Sequence, residues 1–231
     1  AKTRCVLLHH VDDGRVYGPE QFLTRLRSLM KKHLDLKEAS ELETPGSKSK
    51  ILGRTKIRTE DAIYTLPDSK HADNIIRLLG LEKAKPSSVP GKKLVLTEAS
   101  IEEVDEGAAS TYRSAVGSGI FLSLDRRDVR YAIKELAKRL QKPRAADSDN
   151  LKIFGRYLLG TPAVAKVVRI NPEFKGPDVE MPHDVFVDSD WAGCPDTYRS
   201  SDAVVTVVGG AVITGSSQTQ PGLPATSSGD A

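Results

Sequence analysis

The apolar and polar positions near the start of the chain follow the pattern of a β-hairpin. An apolar run that begins at Cys5 leads into Asp12, Asp13 and Gly14. This order predicts a strand, a tight turn at Asp13-Gly14 and a return strand at 15–17. Asp-Asp-Gly is good turn chemistry in its own right. Two adjacent carboxylates at a hairpin tip also repel each other, and oxygen ligands of this kind suit Mg²⁺ or Mn²⁺.

Further along, apolar residues recur every three or four positions, which is the spacing of amphipathic helices. Predicted helices lie at Pro19–Leu34, from Asp68 or Ser69 to Gly80, at Asp128–Leu140, and from Asp147 or Ser148 to near Gly160. Glycine favours the ends of such helices because it adopts left-handed backbone angles without strain.

Shorter apolar runs bounded by turn residues predict strands. They comprise a hairpin over Ile51–Leu66 and single strands at 163–170, 184–187, 203–208 and 211–214. The polar segment 83–107 contains two prolines and predicts a linker or a long surface loop. The tail from Ser216 is rich in Ser, Gln and Pro and carries no packing signal.

Charge is distributed unevenly along the 231 residues, although the net charge is only +3. Residues 1–93 carry 19 basic and 12 acidic side chains, and residues 111–182 carry 14 and 8. Residues 94–110 and 183–231 are acidic, each with a net charge of −5. The pattern fits a polyanion track that leads to a cation site. It also fits ordinary solvated faces, which charge alone favours.

Length and composition narrow the class of protein. The chain is long enough for one large domain or two small ones, each with its own core. No apolar run reaches the length of a membrane span. Cys5 and Cys194 lie far apart without partner ligands at zinc-like spacing, so a reducing intracellular setting fits better than a disulfide.

A second acidic pattern follows the strand predicted at 184–187. Asp188 and Asp190 end this strand, and small residues follow them. Strand alternation places both carboxylates on one face. Such a pair can hold part of a two-metal site, and it can equally be a strand capped by polar turn residues.

Several motifs, in one order, are similar to those of a single family. Leu8–Asp13 is similar to a polymerase motif that ends in Val-Asp-Asp, and Tyr112–Ser118 is similar to a segment that follows a linker. Asp188–Gly193 is similar to a first RNase H motif, and Ser227–Ala231 is similar to the start of a Ser-Ser-x-Glu-Ala-Glu signature. The chain resembles the C-terminal part of a copia-type retrotransposon Pol polyprotein. The likeness runs over essentially all 231 residues.

The resemblance implies an α+β fold. It consists of a partial reverse-transcriptase palm with thumb and connection helices, followed by a truncated RNase H-like mixed sheet. The implied units are a palm and thumb-like part at 1–93, an acidic linker at 94–111, a helical connection segment at 112–178 and the N-terminal part of an RNase H-like domain at 179–231.

The resemblance also implies roles for individual residues. Asp12 and Asp13 would be metal-binding carboxylates of polymerisation, Asp188 the first metal ligand of RNase H cleavage, and Asp190 a supporting ligand. Mg²⁺ or Mn²⁺ held in this way supplies the charge stabilisation that phosphoryl transfer needs. The basic side chains implied to contact the nucleic-acid backbone are Arg25, Lys31, Lys32, Lys56 and Arg58.

The implied partners are an RNA template, a DNA primer, an RNA–DNA hybrid and the remainder of the polyprotein, with no membrane. The implied location is intracellular, in cytoplasmic virus-like particles and in the nucleus. The family's third polymerase carboxylate would lie before Ala1, and its RNase H glutamate would follow or replace Ala231. We therefore expect a fragment that is inactive as an isolated chain. The alternative is a non-catalytic transposon relic that retains nucleic-acid binding.

Overall fold

The computed structural model of the chain describes residues 5–11, 13–37, 42, 44–93, 97–174, 179–194 and 196–223. Within these ranges the chain forms five α-helices and three antiparallel sheets, which confirms the predicted α+β class. The helices are α1 (Glu20–Met30), α2 (Lys70–Leu78), α3 (Glu106–Ser123), α4 (Arg130–Ala137) and α5 (Ala145–Gly160). The strands are β1 (Val6–His10), β2 (Asp13–Tyr17), β3 (Lys48–Ile51), β4 (Arg54–Arg58), β5 (Ala62–Leu66), β6 (Lys166–Arg169), β7 (His183–Ser189), β8 (Ser201–Val208) and β9 (Ala211–Thr219).

Helix α2 begins and ends as the sequence predicts. The Asp68 carboxylate accepts a hydrogen bond from the Lys70 backbone N–H at 3.1 Å, which satisfies one free donor at the helix start. After the helix, Gly80 takes a φ of +63°, the left-handed conformation that ends many helices.

The starts of α3 and α5 differ from the prediction. Helix α3 begins inside the segment predicted as a loop at 83–107, because the Asp105 carboxylate caps it by accepting from the Ala108 N–H at 2.9 Å. Helix α5 begins before the predicted cap, Asp147. Its carboxylate instead accepts from the Arg144 backbone N–H at 3.0 Å, which makes it the acidic partner of a capping box.

The first hairpin turns earlier than predicted. His10 pairs with Asp13 and His9 with Gly14, so Asp13 and Gly14 lie in strand β2 rather than in the turn. Val11 takes a φ of +52° as the chain reverses, a left-handed value typical of the first central position of a hairpin turn. Asp12, the other acid of the predicted pair, lies outside the described residues.

The four-stranded sheet has the order β3-β4-β5-β6 and joins distant parts of the chain. The hairpin predicted over Ile51–Leu66 is present in β3, β4 and β5. Strand β6, which follows α5, pairs antiparallel with β5. The sheet therefore includes strands from both sides of the linker predicted at 94–111.

The third sheet has the order β7-β8-β9. Gly209 and Gly210, with φ of +56° and +76°, form the turn between β8 and β9. Strand β9 continues to Thr219, so the prediction that packing signals end at Ser216 is wrong for residues 216–219. These polar residues join the sheet through backbone pairing with β8, which apolar patterning does not reveal.

The main core is helical. Apolar side chains of α2, α3, α4 and α5 form one buried cluster, which includes Ile75, Tyr112, Val116, Ile133, Leu151, Phe154 and Leu158. Burial raises the pKa of the Tyr112 hydroxyl, which donates a hydrogen bond to the Leu136 carbonyl at 2.7 Å. No helix in the described ranges is long and apolar enough to cross a membrane.

Candidate metal-binding and nucleic-acid-binding residues

The first predicted acidic site lies on the β1–β2 hairpin. Asp13 begins strand β2 opposite His10, and its side chain is exposed. Two residues further on, the Arg15 guanidinium donates a hydrogen bond to the Ser49 hydroxyl of β3 at 2.5 Å. This contact attaches the hairpin to the four-stranded sheet. Asp13 is therefore a carboxylate presented to solvent on a hairpin that is anchored next to β3.

The second predicted acidic site lies on strand β7 and in the turn after it. Asp188 is exposed and pairs through its backbone with Ala203 of β8. Asp190 accepts a hydrogen bond from the Ser201 N–H at 2.6 Å. A Cβ at Gly193 would clash with a carboxylate oxygen of Asp190, so glycine allows this carboxylate to fold over the turn. Asp190 therefore holds the turn against β8, whereas Asp188 points into solvent.

Among the described residues, neither Asp13 nor Asp188 stands in a preassembled metal centre. No group of three or more His, Cys, Asp and Glu side chains in the described part of the chain is placed to hold a metal ion. Carboxylate oxygens suit Mg²⁺, but Mg²⁺ demands nearly octahedral coordination by several ligands. The described residues alone do not complete such a site. The metal-binding roles of Asp13 and Asp188 therefore stay predictions.

The predicted nucleic-acid-binding residues divide between two regions. Arg25, Lys31 and Lys32 are exposed on helix α1 or directly after it, whereas Lys56 and Arg58 are half-buried on strand β4. A guanidinium N–H of Arg58 donates to the Leu42 carbonyl at 3.1 Å. The structure therefore offers an exposed basic helix and, separately, a partly enclosed basic strand.

An ion pair between a buried arginine and a partly exposed aspartate, beside the helical core, was not predicted. The Arg126 side chain is 2% exposed and donates to Asp128 at 2.9 Å and to the Thr161 carbonyl at 2.8 Å. Tyr157 donates to the same carboxylate at 2.9 Å. Burial raises the pKa of Asp128, but the hydrogen bonds from Arg126 and Tyr157 outweigh it and leave that pKa below its ordinary value.

Further polar contacts attach the β7–β9 sheet to the helices. Asp196, in the loop between β7 and β8, forms ion pairs with Arg139 and Arg144. Lys134 of α4 donates to the Ser201 hydroxyl at 2.7 Å, and Arg127 donates to the Val212 carbonyl of β9 at 2.7 Å. These contacts join residues far apart in sequence, so no local motif indicates them. They give the sheet that carries Asp188 a defined position on the helical core.

Comparison with known proteins finds relatives by sequence. The chain is 31% identical over 215 residues to an uncharacterized mitochondrial protein of Arabidopsis thaliana, covering 93% of this chain and 83% of that protein. It is 26% identical over 222 residues to the retrovirus-related Pol polyprotein from transposon RE2 of the same plant, covering 94% of this chain and 14% of the polyprotein. The corresponding polyprotein from transposon RE1 is 32% identical over 112 residues, which are 48% of this chain and 7% of the polyprotein. No protein-family model and no solved structure matches the chain.

Proposed function

The chain belongs to the copia-type retrotransposon Pol polyprotein family, and from this premise we propose that it forms part of the reverse transcriptase and RNase H region of such a polyprotein. The proposed activity of that region is to copy RNA into DNA and to degrade the RNA strand of the hybrid. The observation that carries the proposal is the position of Asp188, an exposed carboxylate near the end of β7, at the edge of an antiparallel sheet. The isolated chain is proposed to be inactive.

The proposed contribution of this segment is a set of carboxylates that bind metal ions. Phosphoryl transfer depends on positioning and on stabilising negative charge, which carboxylate-held Mg²⁺ or Mn²⁺ supplies when bound. Asp12, Asp13 and Asp188 are the proposed ligands. Asp190 is proposed to support Asp188 by fixing the turn that follows β7, through its hydrogen bond to the Ser201 N–H. Because the described residues do not complete a metal site, we assign no catalytic step to them alone.

The proposed partners follow from the same reaction. They are an RNA template with its DNA primer, the RNA–DNA hybrid and the remainder of the polyprotein. The proposed location is intracellular, in cytoplasmic virus-like particles and in the nucleus.

Metal binding tests the proposal in a longer Pol protein that contains this segment. Calorimetric titration with Mn²⁺ should show binding that Asp188→Asn weakens at least about 10-fold, as expected when a ligand is removed. Asp184→Asn is the matched control, because Asp184 is exposed on the same face of β7 and carries the same charge. Equal loss in both variants, or no binding in the folded parent protein, would contradict the proposal.

A second candidate function is a non-catalytic relic that still binds nucleic acid. It is favoured by the basic side chains exposed on helix α1 and half-buried on strand β4. In this case salt-dependent RNA or DNA binding should survive Asp12→Asn combined with Asp13→Asn. Binding without any salt dependence would contradict this candidate, because phosphate contacts release counterions.

A further inference from the structure

One face of the four-stranded sheet aligns polar side chains across all four strands. The register places Ser49 beside Lys56, Lys56 beside Thr65, and Thr65 beside Lys166. Paired residues on adjacent strands share a face, and neighbouring strands lie about 5 Å apart. Lys56 and Lys166 therefore stand on the same face, on either side of β5. Lys166 follows α5 in sequence, so only the register brings it next to Lys56.

A third cation, Arg127, acts on Lys166. Burial lowers the pKa of Lys166, and the positive charges of Arg127 and Lys56 lower it further. Burial and the charge of Arg130 lower the pKa of Arg127. The negative charge of Asp125 acts against this shift and raises the pKa of Lys166. We call Lys56, Lys166 and Arg127 the basic cluster.

The basic cluster has little compensation from acids. Asp125 is already paired with Arg54 at 2.7 Å. Within the described ranges, the side chains of Lys56 and Lys166 form no ion pair or hydrogen bond, although both residues are half-buried. On the same face, the Arg58 Nε is buried without a hydrogen-bond partner in the described part of the chain. Arg127 donates to the Val212 and Ile213 carbonyls, so the two lysines are the members of the cluster that lack a partner among the described residues. Unpaired cations removed from water are costly, and such arrangements mark candidate binding sites.

We propose that the basic cluster binds the phosphodiester backbone of a nucleic-acid strand. The choice of this polyanion rests on the proposed function. A phosphate between Lys56 and Lys166 would supply the missing negative charge and reduce the repulsion among the cations. Arg15 contacts Ser49 on this same face, so the strand bound there would pass beside the hairpin that carries Asp13.

Salt-dependent binding tests this assignment on the 231-residue chain. The probe is a short fluorescent RNA–DNA hybrid, and fluorescence anisotropy gives its affinity. Lys56→Gln with Lys166→Gln should reduce the slope of log affinity against log salt by about 2, because each lost phosphate contact contributes about 0.9. EDTA in the buffer makes the result independent of the proposed metal ligands, so this assignment and the proposed function can fail separately.

Lys50→Gln with Arg169→Gln is the matched control. These two cations are exposed on the opposite face of the same sheet, and their removal changes the net charge equally. We expect this control to keep nearly the full slope, and we expect Lys56→Arg with Lys166→Arg to keep it as well. Equal losses in the control and the glutamine variant, or no binding by the unmodified chain, would overturn the proposal.

A second measurement needs no variant and therefore does not depend on variant folding. Bound hybrid should protect Lys56 and Lys166 from chemical acetylation, measured by mass spectrometry, while Lys50 stays reactive. Unchanged acetylation of Lys56 and Lys166 under saturating hybrid would overturn the proposal.

Discussion

Four of the described aspartates form two contrasting pairs, called here the structural group and the exposed group. Asp128 and Asp147, next to the helical core, form ion pairs with Arg126 and Arg144; Asp147 is buried, and the side chain of Asp128 is 27% exposed. Asp13 and Asp188, on the hairpin and on strand β7, are exposed. A pairing arginine, which lies two or three residues earlier in the sequence, therefore separates these structural carboxylates from those available to a ligand.

The largest expected effect comes from removing the core that supports the first group. Phe154 is fully buried, so Phe154→Ala should lower the free energy of unfolding by about 3 to 5 kcal/mol through lost burial and a cavity. Urea denaturation measures this loss. Phe121 is 63% exposed, and Phe121→Ala should cost less than about 1 kcal/mol. Similar losses for the two variants would contradict the assignment of the core.

The direct comparison between the two groups of aspartates should give the next largest effect. Asp128→Ala leaves the buried Arg126 guanidinium without its carboxylate and should cost about 3 kcal/mol in urea denaturation. Asp188→Ala removes an exposed side chain and should stay within about 0.5 kcal/mol of the unmodified chain. Equal costs would remove the distinction between the two groups.

Acid should weaken the ion pairs of Asp128 and of Asp196. The folded-state pKa values of Asp128 and Asp196 lie below their ordinary values, so both carboxylates stabilise the fold at neutral pH. This stabilisation is lost as the pH falls through the folded-state pKa values, below about pH 4. Urea denaturation at several pH values should show a smaller loss in acid for Asp128→Asn combined with Asp196→Asn. An unchanged pH dependence in this variant would contradict the assigned ion pairs.

Local patterns predicted the elements better than their boundaries and contacts. The apolar spacing predicted α2 because one face of it packs in the core, where Ile75 is fully buried. The turn at Asp13-Gly14 was misplaced because the register, which pairs His10 with Asp13, depends on the whole hairpin. Strand β9 was predicted too short because backbone pairing, rather than apolar side chains, holds its end.

The candidate sites were predicted unevenly for the same reason. The pattern of a strand that ends in acids indicated Asp188, and the structure places this residue exposed on β7. The burial of Arg126 depends on Thr161 and Tyr157, which lie on or just after a later helix. The proximity of Lys166 to Lys56 likewise requires the pairing of β6 with β5. Charge counts along the sequence do not contain this information.

Cleavage of an RNA–DNA hybrid tests the central claim most directly. The measurement compares Asp188→Asn with Asp184→Asn in a longer Pol protein that contains this segment and degrades the hybrid. Because Asp188 is the proposed metal ligand and Asp184 is exposed on the same strand, Asp188→Asn should lower the rate at least about 100-fold and Asp184→Asn by less than about 3-fold. Equal rates for the two variants, with the fold intact, would contradict the account.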